Sequence, residues 1–243
     1  MQEQTTFKKK TSYSVHIVGQ NDIFEDTRKI YNDALSLVIN VVDLEWNSVS
    51  VVEGKKRNSV VEKLVHQTKK NISKYKEFDE QFHKFPSYLR RAVIAKAIGI
   101  VSSYRSNLAN WEEHKLGNPP KLQLKHYEYP AMYNLEQYKK TGEYTAQLKV
   151  FHQNTWKWID VKLRKSDIDY INRHKPDAKM LAPILQKSGK RWSLRFGFKT
   201  DVKLTNRNDV IIAVDLGINN AATCSAMCSD GTIMGRKIIS FPA

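Results

Sequence analysis

Cysteine is almost missing from this chain. Only Cys224 and Cys228 occur in 243 residues, which excludes a disulfide scaffold and fits a reducing, cytoplasmic setting. Their Cys-x-x-x-Cys spacing offers two potential zinc ligands. Both fall in or beside one apolar strand with no third cysteine anywhere, so they read as small core residues and no zinc is expected. Also missing is an uncharged apolar run of about 18 residues, so neither a membrane span nor a membrane partner is expected. The first ten residues, Met-Gln-Glu-Gln-Thr-Thr-Phe-Lys-Lys-Lys, have no apolar stretch and do not read as a secretory signal. There is no P-loop, no Ser/His/Asp set, no internal repeat and no low-complexity tract. The seven histidines are scattered through mostly polar surroundings, which argues against a catalytic histidine.

What the chain has in excess is positive charge. The formal net charge is +15 and the pI about 9.6. Residues 209–243 hold Arg236 and Lys237 against Asp209, Asp215 and Asp230, so residues 1–208 carry +16. A basic body joined to a near-neutral segment with one strand-end carboxylate suggests a polyanion platform feeding a metal site. With 41% apolar and 10% aromatic residues the chain should fold, as one or two domains.

The periodicities set an order of strand, helices, strands and meander. Phe7, Tyr13, Val15 and Ile17 predict a first strand that Gly19 breaks. Asp22 and Glu25 resemble a capping box ahead of a helix whose stripe includes Ile23, Thr27, Ile30, Ala34, Val38 and Val41. Residues 53–58 read as a loop, and a lysine-rich helix is predicted from about Ser59 to Phe82. Pro86 and Ser87 open the clearest helix. Leu89, Val93, Ala97, Val101, Tyr104, Leu108 and Trp111 form its stripe, and Arg90, Arg91, Lys96 and Arg105 fall off it, facing solvent or phosphate. Gly117 to Pro120 ends it. The period then drops to two over Tyr144–Phe151, Thr155–Leu163 and Arg191–Phe198, with a short helix between, capped by Ser166 and Asp169. The first strand must pair somewhere, and pairing with these later strands makes the helices an insertion.

One aspartate stands out. Val210-Ile-Ile-Ala-Val-Asp215-Leu-Gly-Ile-Asn-Asn220 reads as a buried strand delivering Asp215 to a tight turn at Gly217 and Asn219-Asn220. Strands from Ala221 to Met227 and from Thr232 to Ile239 follow, joined by Ser229-Asp230-Gly231. Such a carboxylate suits a catalytic Mg²⁺. Two-metal phosphodiester cleavage, however, needs several carboxylates around ions about 4 Å apart. Asp209 belongs at the opposite end of the strand, and Asp230 is a turn former. The bare pattern also occurs in sugar kinases and actin-like ATPases. Tyr127, Tyr129, Tyr133 and Tyr138 lie in a lysine-rich loop and could stack on unpaired bases; Trp156, Trp158 and Trp192, at alternate strand positions, read as core.

Three stretches together resemble TnpB-type (OrfB) proteins of bacterial insertion sequences, RNA-guided endonucleases related to type V CRISPR effectors. Phe85 to Trp111 resembles the recognition-lobe helix of that family, and Pro119-Pro-Lys-Leu122 its return to the barrel. Val214-Asp-Leu-Gly-Ile-Asn-Asn-Ala-Ala-Thr223, with Asp230-Gly and Gly235-Arg-Lys237, resembles its first RuvC segment. The resemblance implies an α+β fold: a wedge-type β-barrel with its first strand in residues 1–20, a helical recognition lobe over 21–117, the rest of the barrel over 118–208, and the first three-strand meander of an RNase H-like (RuvC) domain over 209–243. It implies guide RNA and target DNA as partners, Asp215 as a catalytic Mg²⁺ ligand, and nucleic-acid contacts by Arg90, Arg91, Lys96, Arg105, Tyr129 and Tyr133. The family's later glutamate, last aspartate and zinc ribbon have no counterpart in residues 1–243. The expectation is therefore an N-terminal part, inactive alone, with apolar RuvC strands exposed unless a second polypeptide completes them. The alternatives are a non-cleaving RNA- or DNA-binding regulator and a decayed transposon remnant.

Overall fold

The computed structural model describes residues 6–19, 22–54, 56–203, 210–217 and 220–241. Asp209, Ile218 and Asn219 lie outside them, as does the side chain of Phe7. The chain divides into two units, Lys10–Thr200 and Met1–Lys9 with Asp201–Ala243.

β1 (Thr6–Val18) is followed by five helices, α1 (Glu25–Leu44), α2 (Trp46–Ser50), α3 (Lys56–Val65), α4 (Glu77–Gln81) and α5 (Ser87–His114). Six strands follow, with one helix between the third and fourth: β2 (Tyr138–Lys140), β3 (Thr145–His152), β4 (Thr155–Leu163), α6 (Lys165–His174), β5 (Lys179–Met180), β6 (Ile184–Ser188) and β7 (Arg191–Lys203). Strands β1 to β7 form one sheet of order β2-β3-β4-β1-β7-β5, with β6 also on β7. β1 is antiparallel to β4, with Ile17 opposite Leu163. The helical stretch is thus inserted between strands of a single sheet. Among the described residues β2 and β5 do not pair with each other, so the sheet is open by its hydrogen bonding. This is a mixed α+β fold built on antiparallel pairing.

Two cores follow from the two periodicities. The helical core takes Leu35, Val38, Ile39 and Val42 from α1 and Leu89, Val93, Ile94, Ala97 and Val101 from α5, with Phe78, Phe82 and Phe85 between. The α5 stripe fades after Val101; Tyr104, Leu108 and Trp111 are half-buried. The sheet core takes alternate residues: Val15 and Ile17, Ala146, Leu148 and Val150, then Trp192, Leu194, Phe196 and Phe198.

Several local expectations are corrected. α1 starts without a capping box: Asp22 offers its backbone carbonyl to the Glu25 amide, and no side chain caps the helix. α6 likewise starts behind Arg164 without a side-chain cap, because Asp167 bonds His16 and Asp169 accepts from Tyr144. The helix predicted over 59–82 is two helices. Asn71 Nδ2 donates to the Lys63 and His66 carbonyls at 2.8 and 3.0 Å, terminating α3, while Asp79 Oδ2 accepts from the Gln67 amide at 2.7 Å. These long-range caps outweigh the helical propensity of the lysine-rich stretch.

In the second unit, β8 (Val210–Asp215), β9 (Ala222–Cys228) and β10 (Ile233–Ile239) form an antiparallel meander of order β10-β9-β8. The strands were expected; burial of β8 was not borne out. Ile211, Ile212 and Val214 are 57–68% exposed, which is the uncovered apolar strand surface that the resemblance led one to expect. Cys224 and Cys228 are free and half-buried rather than core.

Candidate nucleic-acid interface

Asp215 ends β8 directly opposite Thr223 of β9, and its side chain is exposed. A Cβ on Gly217 would meet the Asn220 carbonyl oxygen at 3.0 Å, a close approach that glycine accommodates. Asp230 behaves as a turn former: its Oδ1 accepts from the Thr232 amide at 2.9 Å, and that bond holds its carboxyl below the usual range. Among the described residues no three His, Cys, Asp or Glu side chains converge. As a donor set, Asp215 by itself does not fit a Mg²⁺ pair. One carboxylate leaves such an ion mostly to water, so no catalytic step is built on these residues alone.

The four cations singled out on α5 are engaged inside the protein. Arg90 is buried, contrary to the solvent-facing position expected of it. Its Nη2 and Nε donate to Glu62 Oε1 at 3.0 and 3.3 Å. Arg91 is 58% exposed and reaches the same carboxylate at 3.7 Å. Lys96 pairs with Glu128 at 2.8 Å and Arg105 with Asp43 at 2.5 Å. The fold thus gathers Arg90 and Arg91 at one point and leaves Lys96 and Arg105 on separate carboxylates further along α5.

The loop tyrosines divide. Tyr138 is buried, and Tyr129 and Tyr133 are half-buried, so they are not the open stacking faces expected. Tyr129 donates its hydroxyl to the Lys187 carbonyl at 3.1 Å and packs edge-on to Trp192. Tyr133 leans on Tyr88, and burial raises the hydroxyl pKa of both Tyr129 and Tyr133. Tyr127 is 61% exposed, but Arg28 lies 3.7 Å above its ring.

Register exposes a surface that spacing alone did not show. Opposite residues of adjacent strands share a face. Lys139 faces Gln147, Lys149 faces Trp158, Gln147 faces Asp160 and Thr145 faces Lys162. Lys139, Lys149, Trp158 and Lys162 therefore share, with Asp160, the side of β2-β3-β4 away from the sheet core, and Lys139 Nζ sits 4.2 Å from the Trp158 ring centre. The far end of this face is closed by the helices. Phe151 and Trp156 pack into the helical core, with Trp156 edge-on to Phe85. Of the three tryptophans read as core, Trp192 is in the sheet core, Trp156 joins the helical one, and Trp158 lies half-buried beneath a lysine. The alternation Trp156-Lys157-Trp158 was visible; the lysines from neighbouring strands needed the register.

The charge divides by region in the same way. Residues 21–117 hold sixteen Lys and Arg against thirteen Asp and Glu, whereas residues 118–208 hold nineteen against eight. Fold and surface together define an α+β protein with antiparallel sheets and a basic, aromatic-bearing strand face. The chain belongs to the Aq_aa04 family, whose model matches residues 6–152, from β1 to the end of β3. No curated protein matches it.

Proposed function

We propose that this chain is a nucleic-acid-binding part of a TnpB-type, RNA-guided DNA endonuclease, in which guide RNA and target DNA are the partners. In this reading the seven-stranded sheet corresponds to the wedge-type barrel, the inserted helices to the recognition lobe, and the meander to the opening of an RNase H-like domain. The observation that carries it is the exposed Asp215 at the end of the first strand of an antiparallel meander, in a chain whose residues 1–208 carry +16. Mg²⁺ would join Asp215 only when carboxylates from outside residues 1–243 complete the site. Lys139, Lys149, Trp158 and Lys162 supply backbone contacts and one ring for base stacking.

The second reading is a binder that does not cleave. It is favoured by the lack of any convergent carboxylates among the described residues. Asp215→Ala separates the two. Cleavage of a plasmid target is assayed with guide RNA, Mg²⁺ and a polypeptide supplying the remaining RuvC ligands. Loss of cleavage with RNA affinity unchanged supports the endonuclease. The same lack of cleavage before and after the substitution leaves the binder.

A further inference from the structure

Between α3 and α5 lies an open cavity of about 560 Å³ lined by polar and charged residues: Ser59, Glu62, Lys63, His66, Thr68, Lys70, Asn71, Arg90 and Arg91. Four permanent cations surround one carboxylate, so the cavity holds +3 with His66 neutral. Glu62 occupies Nε and Nη2 of Arg90, which leaves Nη1 without a hydrogen bond among the described residues. Arg90 is only 8% exposed, so its guanidinium is held in place at the cavity wall. Lys63 and Lys70 are exposed and have no ion pair among the described residues. His66 is held by Asp79 at 2.7 Å, which fixes its ring at the rim.

The excess charge has a chemical meaning. A carboxylate ligand would bring one negative charge, and Glu62 already plays that part. A dianion with three acceptor oxygens matches the surplus, the Arg fork and the two lysine ammonium groups. No apolar residue lines the cavity, so what it offers a ligand besides the His66 ring and the lysine and arginine stems is charge and hydrogen-bond donors. We propose that this cavity is a binding site for a phosphoryl dianion, either free inorganic phosphate or a phosphate monoester at a nucleic-acid end. The site is built from α3, the residues after it and α5 rather than from the strand face, and it goes beyond the functional reading above.

The test uses inorganic phosphate, added against chloride at equal ionic strength, with backbone amide shifts as the readout. A saturable shift confined to residues around Ser59, Lys63, His66, Thr68, Lys70 and Arg91 is the expected result. The exposed double substitution Lys63→Ala with Lys70→Ala should weaken it by roughly tenfold or more. Glu62→Gln should strengthen it, although the same change loosens the α3–α5 contact; a merely structural Glu62 would not move phosphate affinity upward. Shifts that never saturate, or a double variant that binds phosphate as wild type does, overturn the proposal. A second arm compares 5′-phosphorylated and 5′-hydroxyl forms of one oligonucleotide. Preference for the phosphorylated end, lost in the double variant, supports the site with a nucleic-acid source. Equal affinity alongside saturable phosphate binding supports it with a free source. Equal affinity without phosphate binding overturns the site and leaves the nucleic-acid reading intact.

Discussion

The helical stretch and the strand-rich stretch that follows it contain similar numbers of cations but spend them differently. Over residues 21–117, Arg28, Lys74, Arg90, Arg91 and Arg105 each meet a carboxylate of the same stretch, and Lys96 meets Glu128. Over residues 118–208, Lys139, Lys149 and Lys162 share one strand face with Trp158 and Asp160. The difference teaches that a count of lysines does not locate a field. Pairs across a helix interface cancel at short range, and only the unpaired surplus reaches a polyanion.

The comparison breaks most directly at the strand face. Changing Lys139, Lys149 and Lys162 together to Gln should cost roughly 100-fold in RNA affinity at low salt. It should also lower the slope of log affinity against log salt by up to about three. Fluorescence anisotropy over a salt series checks both, and a triple variant with the wild-type slope would move the interface elsewhere. Next in size is Arg90→Ala, which strands Glu62 beside Arg91 and should destabilise the protein by about 2 kcal/mol in urea unfolding. Its salt slope for RNA with unphosphorylated ends should stay unchanged. Trp158→Ala should weaken single-stranded RNA by roughly fivefold and duplex DNA hardly at all, because only an unpaired base stacks on the ring.

The smallest effect is one of acid. Glu45, after α1, accepts from Lys74 and from the Tyr75 hydroxyl, the latter at 2.6 Å. These bonds hold its carboxyl below its ordinary 4.5. A carboxyl lowered in the folded state contributes stability above its unfolded value and loses it as pH falls through the folded one. Urea midpoints should therefore drop from about pH 5 to about pH 3 more steeply in wild type than in Glu45→Gln.

These contrasts also mark what could be read along the chain. β4 runs from Thr155 to Leu163, and the inward row Trp192, Leu194, Phe196, Phe198 is buried, as alternation indicates. Period two and period 3.6 are local properties, and α5 opens at Ser87 for the same reason. The end of α3 was not legible, because Asn71 and Asp79 cap it from later in the chain. Nor were the partners of the α5 cations: Glu62, Asp43 and Glu128 lie 28 to 62 residues away from Arg90, Arg105 and Lys96. At the site, Asp215 at a strand end was legible, whereas the grouping of Lys139, Lys149 and Lys162 depends on strand register. The tyrosines were misjudged since a loop's polarity does not reveal what packs beneath it.

The place of β1 in the sheet has a consequence for how the protein is made. Its neighbours are β4 and β7, which begin at Thr155 and Arg191. A ribosome adding roughly 5–20 residues per second delivers β4 roughly seven to thirty seconds after β1. Through that interval the helices can assemble from contacts made within their own stretch. The first strand meanwhile carries open backbone donors and acceptors on both sides. Nascent chains are therefore most prone to wrong strand pairing before Leu163 is synthesised, and a chaperone that shields residues 6–18 would act during that interval.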